Sequence, residues 1–240
     1  FSEFVDDPHV RLVSLMDHTP GQRQYADMEV FKRYQIAKGN VTASGFAAYV
    51  APLIERSARY AGVHRRTIAG LAAQRGLPLA THDDATPEHV AESVELGVRI
   101  SEFPTTVLAA SMAEKHGQLI VMGAPNVVRG GSQSGNVAAA ELLGLGLLDI
   151  LSSDYVPSSP LQAVFQLWAD GAMGLADGAK LVSGNPARAV SLDDRGEIAI
   201  GKRADLVQVR PHDLPATGRH PRGRRVPVVR SVYRQGARVS

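Results

Sequence analysis

Five short apolar runs, each closing on polar or ionisable residues and mostly followed by helix-forming sequence, constrain this chain more than any other feature. They are VRLVSLM (10–16), LPLATH (77–82), VRISEF (98–103), QLIVMGA (118–124) and LLDILSSD (147–154). None shows the alternation of a strand with one wet face, so each reads as buried on both faces, as strands of parallel sheets are. Strand, helix, strand, helix with short connections predicts a parallel α/β sheet, either doubly wound or a TIM barrel. Polar groups sit at the same end of every run: Asp17 and His18, His82 and Asp83, Glu102, Asn126, and Asp154. That is the C-terminal end, where barrel enzymes assemble their sites.

The intervening helices carry their own signals. Residues 50–76 place apolar side chains at helical spacing and stop at Gly76. Thr86-Pro87-Glu88 opens a second helix, with Thr at the cap and Pro at the first position, running to Gly97. Thr105 or Thr106 caps a third that stops at Gly117, and residues 135–146 and 159–171 predict two more. After about residue 190 the texture changes. Residues 193–211 and 226–240 read as strands with Gly turns, so the expected division is an α/β part over 1–190 and a small β-unit over 191–240. The Arg/Pro/Gly stretch at 211–225 reads as a loop.

Composition narrows the function classes. The net charge of +2 is too small for a general nucleic-acid binder, although residues 210–240 hold eight Arg and no Lys. That run reads as a solvated surface, so no nucleic-acid partner is expected. With no cysteine in the chain, disulfides and thiolate metal sites are excluded, which fits a reducing, cytoplasmic compartment. No apolar run approaches the roughly 18 residues of a membrane span, and no signal peptide is read, so no membrane partner is expected. The chain opens on Phe1 rather than Met and reads as the middle of a domain, so residues upstream are expected.

His82 and Asp154 are the sharpest candidate pair. Imidazole nitrogen and carboxylate oxygen are ligands of first-row divalent ions, and each residue follows an apolar strand. A parallel barrel would bring both to one rim, although a lone His or Asp at a strand end is more often a cap or a loop hydrogen bond. MDHTPGQRQ (16–24) adds Asp17, His18 and Arg23, and GAPNVVRGGSQSGN (123–136) reads as a Gly/Ser-rich loop around Arg129. Gly lets backbone N–H groups approach an anion and Arg grips phosphate with two donors, but the loop matches no nucleotide-binding signature. His64 reads as surface, His89 and His116 as structural, Trp168 and Met173 as core, and His212 and His220 receive no role.

Five motifs carry a more specific signal: SLMDHTPGQRQY, THDDATPEHV, ISEFPTT, MGAPNVVRGGSQSGN and LLDILSSDYVPSS, followed by GEIAIGKRADLV and VRSVYRQGARV. In this order and over nearly the whole chain, they resemble the phosphonate-metabolism members of the amidohydrolase superfamily. The resemblance implies a (β/α)8 TIM barrel of amidohydrolase type, of which about strands four to eight are present, and the C-terminal strands of a small β-sandwich. It implies hydrolysis of α-D-ribose 1-methylphosphonate 5-triphosphate to the 5-phosphate and diphosphate in the carbon–phosphorus lyase pathway. The implied cofactor is a divalent ion, zinc first, then manganese or iron. His82 matches the fifth-strand metal ligand, and Asp154 matches the eighth-strand aspartate that binds metal and handles the proton of the attacking water. Glu102 stands where the sixth strand usually offers His, and Asp17 and His18 occupy the fourth strand end. Arg23, Arg129, Ser132, Asn126 and Asp83 are the implied substrate-binding residues, for a small phosphorylated substrate.

The sequence departs from that pattern in two places. The first-strand His-x-Asp motif is absent, and Ser132-Gln133-Ser134 stands where the relatives often read Ser-His-Ser, so any proton-transfer role there is lost. Two other readings stand beside the phosphohydrolase: a different amidohydrolase, such as a deaminase or cyclic-amide hydrolase, and a non-catalytic barrel fragment. An incomplete barrel exposes strand edges. Completion is therefore expected from about 140 upstream residues or from a second copy of the chain in a homo-oligomer.

Overall fold

The computed structural model describes residues 1, 3–132, 135–216 and 224–240. The chain divides into two compact units, Phe1–Gln118 and Leu119–Ser240.

In the first unit, strands β1 (Val13–Leu15), β2 (Leu79–His82) and β3 (Ile100–Glu102) lie side by side in parallel. Their register pairs Leu15 with Thr81 and His82 with Glu102. All four residues of β2 are buried, which is why its sequence lacks alternation. A long excursion separates β1 from β2: a 3-10 turn at Arg23–Tyr25, then helices α1 (Met28–Ala37) and α2 (Phe46–Gln74). Asp27 caps α1, accepting from the N–H groups of Glu29 at 2.8 Å and Val30 at 3.0 Å. The C-terminal turns of α2 cover the sheet, where Ala69 and Ala72 pack with Val13, Leu15, Leu79 and Val98. Helices α3 (Pro87–Glu95) and α4 (Val107–Lys115) follow β2 and β3 and are capped by Thr86 and Thr106. Of the two threonines left open by the sequence, Thr106 is the one whose hydroxyl accepts the Ala109 N–H, at 3.1 Å.

The second unit holds a parallel pair, β4 (Leu119–Gly123) and β5 (Ile150–Ser152), with Gly123 in register with Ser152. Helices α5 (Ala124–Arg129) and α6 (Ala139–Gly144) fill the connection, and α7 (Ser159–Ala169), α8 (Leu175–Val182) and α9 (Gly184–Ala189) follow β5. Asp149, just before β5, takes the Ile120 N–H on its carboxylate at 2.8 Å and the Asn185 amide on its carbonyl at 2.7 Å. This ties both strand starts to α9.

A separate antiparallel sheet is built from β6 (Leu206–Leu214), β7 (Arg224–Arg234) and β8 (Ala237–Arg238). The expected strands at 193–211 begin only at Leu206; what precedes is a series of turns. The expected loop at 211–225 is also corrected. Pro211–Leu214 belong to β6, and β7 starts at Arg224. Arg225 pairs across the sheet with Asp213 (2.6 Å) and lies over the Trp168 ring at 5.0 Å, a surface arrangement for part of the Arg-rich tail. His220 lies outside the described residues.

Candidate metal centre

The polar ends of the first unit's strands converge. Asp83 follows β2 immediately and adopts a left-handed backbone conformation (φ 57°); Phe103 does the same after β3 (φ 55°). Such conformations are uncommon outside glycine, and an aspartate tolerates them better than a phenylalanine does. The turn aims the Asp83 carboxylate back at its neighbour. Its Oδ2 lies 2.8 Å from His82 Nδ1 and 3.2 Å from His18 Nε2. One carboxylate oxygen is therefore shared by two imidazoles, whose rings meet edge to face with centroids 5.5 Å apart. Phe103 closes the other side of His82 at 5.2 Å, and Tyr25 stands edge-on to His18 at 5.5 Å. Glu102, in register with His82, places Oε2 4.0 Å from His82 Nε2 and accepts the Ser14 hydroxyl at 2.7 Å.

This donor set suits a divalent ion. Zinc takes imidazole and carboxylate ligands at about 2.0–2.2 Å, so the ligand atoms of one ion lie within a few ångströms of one another. The ligand atoms of His18, His82 and Asp83 all lie within 4.8 Å of each other. An ionised carboxylate only accepts hydrogen bonds, so its bond with His82 puts the imidazole proton on Nδ1 when the ring is neutral. The Nε2 lone pair is then left on the Glu102 side, the arrangement by which a carboxylate orients a metal-binding histidine.

His82 has a raised pKa. Burial pulls the imidazole down and is the largest single influence, but the hydrogen bond and charge of Asp83, with the charge of Glu102, outweigh it. Since the folded value lies above the unfolded value of about 6.5, the protonated ring stabilises the fold fully below that value. This contribution is lost as pH rises through the folded value. Ion-free protein is thus expected to lose stability relative to a His82→Gln variant as pH climbs above about 6.5, read by denaturant unfolding at each pH. Parallel curves would sink the assignment. Divalent ions should bind more tightly over the same interval, because their ligands must be deprotonated.

The first unit's other candidates are engaged with partners of their own. Asp17 turns away from it: Oδ1 takes the Thr19 hydroxyl (2.6 Å) and N–H (3.0 Å), and Oδ2 takes Arg65 (3.0 Å). Burial pushes its carboxyl up, but bonds from Thr19 and Gln22 with the charge of Arg65 prevail and hold it low. Of the two residues at the fourth strand end, His18 is the one that joins His82. Arg23 is only 6% exposed, and its guanidinium points into the protein, bonded to Asp84 and to the His82 carbonyl (3.1 Å). Glu92 lies 3.6 Å from it and also pairs with Arg65 at 3.0 Å, so Asp17, Arg65, Glu92, Arg23 and Asp84 form one chain of alternating charge. His89 serves this loop structurally. Its Nδ1 accepts the Ala85 N–H at 3.2 Å, and burial, then the Arg23 charge, press its pKa down.

In the second unit the stretch 123–136 is not a continuous loop, because Ala124–Arg129 form α5 with Pro125 in its first turn. Asn126 Oδ1 accepts the Ala139 N–H at 3.0 Å and Ser132 Oγ the Asn136 N–H at 3.1 Å, so both shape the connection itself. Arg129 is exposed at the end of α5 and donates to the Tyr155 hydroxyl at 3.3 Å. Gln133 and Ser134 lie outside the described residues. Asp154, two residues beyond β5, is exposed and left-handed (φ 47°). Its carboxylate rests against Gly123, where an added Cβ would come within 3.3 Å of Oδ2. Asp84, Arg65 and Tyr25 are the residues whose weight the sequence did not reveal; Asp83, expected among the substrate-binding residues, lies between the two imidazoles.

Parallel strands followed by helices make an α/β fold, and residues 48–240 match the model of the amidohydrolase family. This chain belongs to it. It is 48% identical, over its whole length, to the α-D-ribose 1-methylphosphonate 5-triphosphate diphosphatase of Escherichia coli (strain K12), and spans 61% of that protein. Among solved structures it is similar to enamidase (TM-score 0.52, 15% identity, 73% of this chain and 50% of that one). It is similar also to an amidohydrolase from a Sargasso Sea environmental sample (TM-score 0.52, 18% identity, 73% and 44%). Those two likenesses bear on the fold alone, and agree with the expected amidohydrolase-type α/β architecture. No helix among the described residues is long and apolar enough to cross a membrane.

Proposed function

We propose that this chain carries part of a metal-dependent phosphohydrolase that cleaves α-D-ribose 1-methylphosphonate 5-triphosphate to the 5-phosphate and diphosphate in the carbon–phosphorus lyase pathway. The observation that carries the reading is the full-length 48% identity to the E. coli diphosphatase. The grouping of His18, His82 and Asp83 within 4.8 Å supports the metal-dependent part of the reading.

His82, His18 and Glu102 would hold the ion, zinc first and manganese or iron next, with Asp83 fixing the His82 ring. A divalent ion held there would lower the pKa of water from about 15.7 to about 7 and polarise a phosphoryl oxygen. Asp154 would take the proton of the attacking water as the water's oxygen bonds to the α-phosphorus and the bond from that phosphorus to the diphosphate oxygen breaks. Arg129 grips a phosphate of the leaving group with its paired donors. Arg23 is left out of the clamp, because Asp84 and the His82 carbonyl already occupy its guanidinium. Asp17 is left out of the ligand set, since Thr19 and Arg65 occupy its two oxygens.

The test is made on full-length protein. His82→Ala is expected to lose the bound ion, by elemental analysis, together with diphosphate release from the ribose triphosphate substrate. Unchanged ion content would remove His82 from the ligands. Turnover of cyclic amides or purines in place of the triphosphate would remove the substrate assignment.

A further inference from the structure

We propose that Arg23 is a positioning residue for the metal centre, acting through the turn that ends β2. The inference rests on the reading of His82, His18 and Glu102 as the ion's ligands and of Asp83 as the group that fixes the His82 ring. Three observations carry it. The Arg23 and Asp84 side chains are 4% and 0% exposed, so the pair is closed off from solvent. One guanidinium nitrogen, Nη1, bonds both the His82 carbonyl and the Asp84 carboxylate, spanning the left-handed Asp83 from both sides. Asp84 is in turn held by the Thr81 hydroxyl (2.9 Å) on its side chain and by the Thr105 N–H (2.9 Å) on its carbonyl. The backbone at 82–84 is thereby fixed on both flanks, and Asp83 has one direction in which to point, between the two imidazoles.

Stability alone does not explain the pair. Asp84 Oδ2 and Arg23 Nε have no protein partner among the described residues, and a buried ion pair left partly unsatisfied is no more stabilising than apolar side chains of similar size. Arg23 also sits in left-handed backbone (φ 50°) at the 3-10 turn, a conformation that surrounding contacts must enforce. What the guanidinium supplies is geometry: two acceptors, one on the backbone of the candidate ligand and one a residue beyond Asp83, met by the two hydrogens of Nη1, whose directions are fixed in the guanidinium plane. Lysine, whose ammonium rotates on a flexible stem, does not fix those directions.

The experiment uses full-length protein as wild type, Arg23→Lys, and the double variant R23M/D84L, which replaces the buried pair by apolar side chains. Zinc and manganese affinities are measured by calorimetry on ion-free protein. The His82 tautomer is read from imidazole nitrogen resonances in mildly alkaline solution. Both variants are expected to unfold cooperatively, to bind the ion roughly 10–100-fold more weakly, and to lose the Nδ1–H tautomer in favour of a mixture. If the double variant does not fold, Arg23→Lys decides alone. A folded variant with wild-type affinity and a wild-type His82 spectrum overturns the proposal. Should wild-type protein bind no ion, the metal reading fails separately. The tautomer comparison then decides, a mixed spectrum in Arg23→Lys supporting the positioning role and an unchanged one overturning it.

Discussion

Asp154→Asn is expected to lower kcat for diphosphate release by roughly 10²–10⁴-fold, the span typical of removing a general acid–base group, while KM changes little. The substitution is informative because it spares the backbone. Asp154 is left-handed (φ 47°), and asparagine adopts that conformation as readily as aspartate. A collapse in activity would therefore report the carboxylate and not the turn. Gly123 gives the geometric counterpart. Its backbone is extended, so a side chain is conformationally allowed there, but a Cβ would press within 3.3 Å of Asp154 Oδ2. Gly123→Val should displace the carboxylate and lower kcat by up to about 10²-fold, as misplacements near 1 Å do. Steady-state kinetics on the two variants check both statements. Wild-type kcat in Asp154→Asn would remove Asp154 from the mechanism.

Asp84→Ala should destabilise the protein by about 3 kcal/mol, near the lower end for breaking a buried ion pair. The cost comes from leaving the Arg23 guanidinium buried without its main partner. Glu92, 3.6 Å away, keeps the loss from reaching the upper end. Thr81 loses an acceptor in the same change. For a chain of this size the midpoint of thermal unfolding should fall by roughly 6–12 °C. Scanning calorimetry decides it, and a midpoint within about a degree of wild type would show that the pair is solvated in solution. The affinity loss expected of the Arg23 variants is a separate quantity, since R23M/D84L removes both charges at once.

Much of the architecture could be read from pattern. The runs at 77–82, 98–103 and 118–124 each contain an observed strand because continuous burial leaves an unmistakable apolar sequence. Thr86-Pro87 marks its helix start because a cap hydroxyl and a fixed φ have no other economical use. Other features were not legible for equally physical reasons. Ala124–Arg129 resembled a loop because Gly123 and Gly130 flank six residues with little periodicity. Asp17 and His18 are neighbours, and which one faces His82 depends on where the strand ends and the chain turns. Arg23 reads as available for phosphate because its partner Asp84 is 61 positions away, and no spacing rule connects them. Asp83 reads as a substrate-facing group because no spacing shows the left-handed turn that folds it back onto His82.

The excursion from residue 16 to residue 78 also has a kinetic meaning. Pairing β1 with β2 requires closing that whole segment, whereas β2 and β3 are joined by one short helix. Longer loops cost more entropy to close, and contacts distant in sequence form later. During refolding, the β2–α3–β3 crossover unit should acquire amide protection first and β1 last, a sequence that pulse-labelled hydrogen exchange would resolve. His18 lies just beyond the end of β1 and docks with it, while His82, Asp83 and Glu102 belong to the early unit. The imidazole that completes the cluster is thus delivered by the slowest docking event, and an ion bound before that event would be held by an open, incomplete cage from which it could still escape.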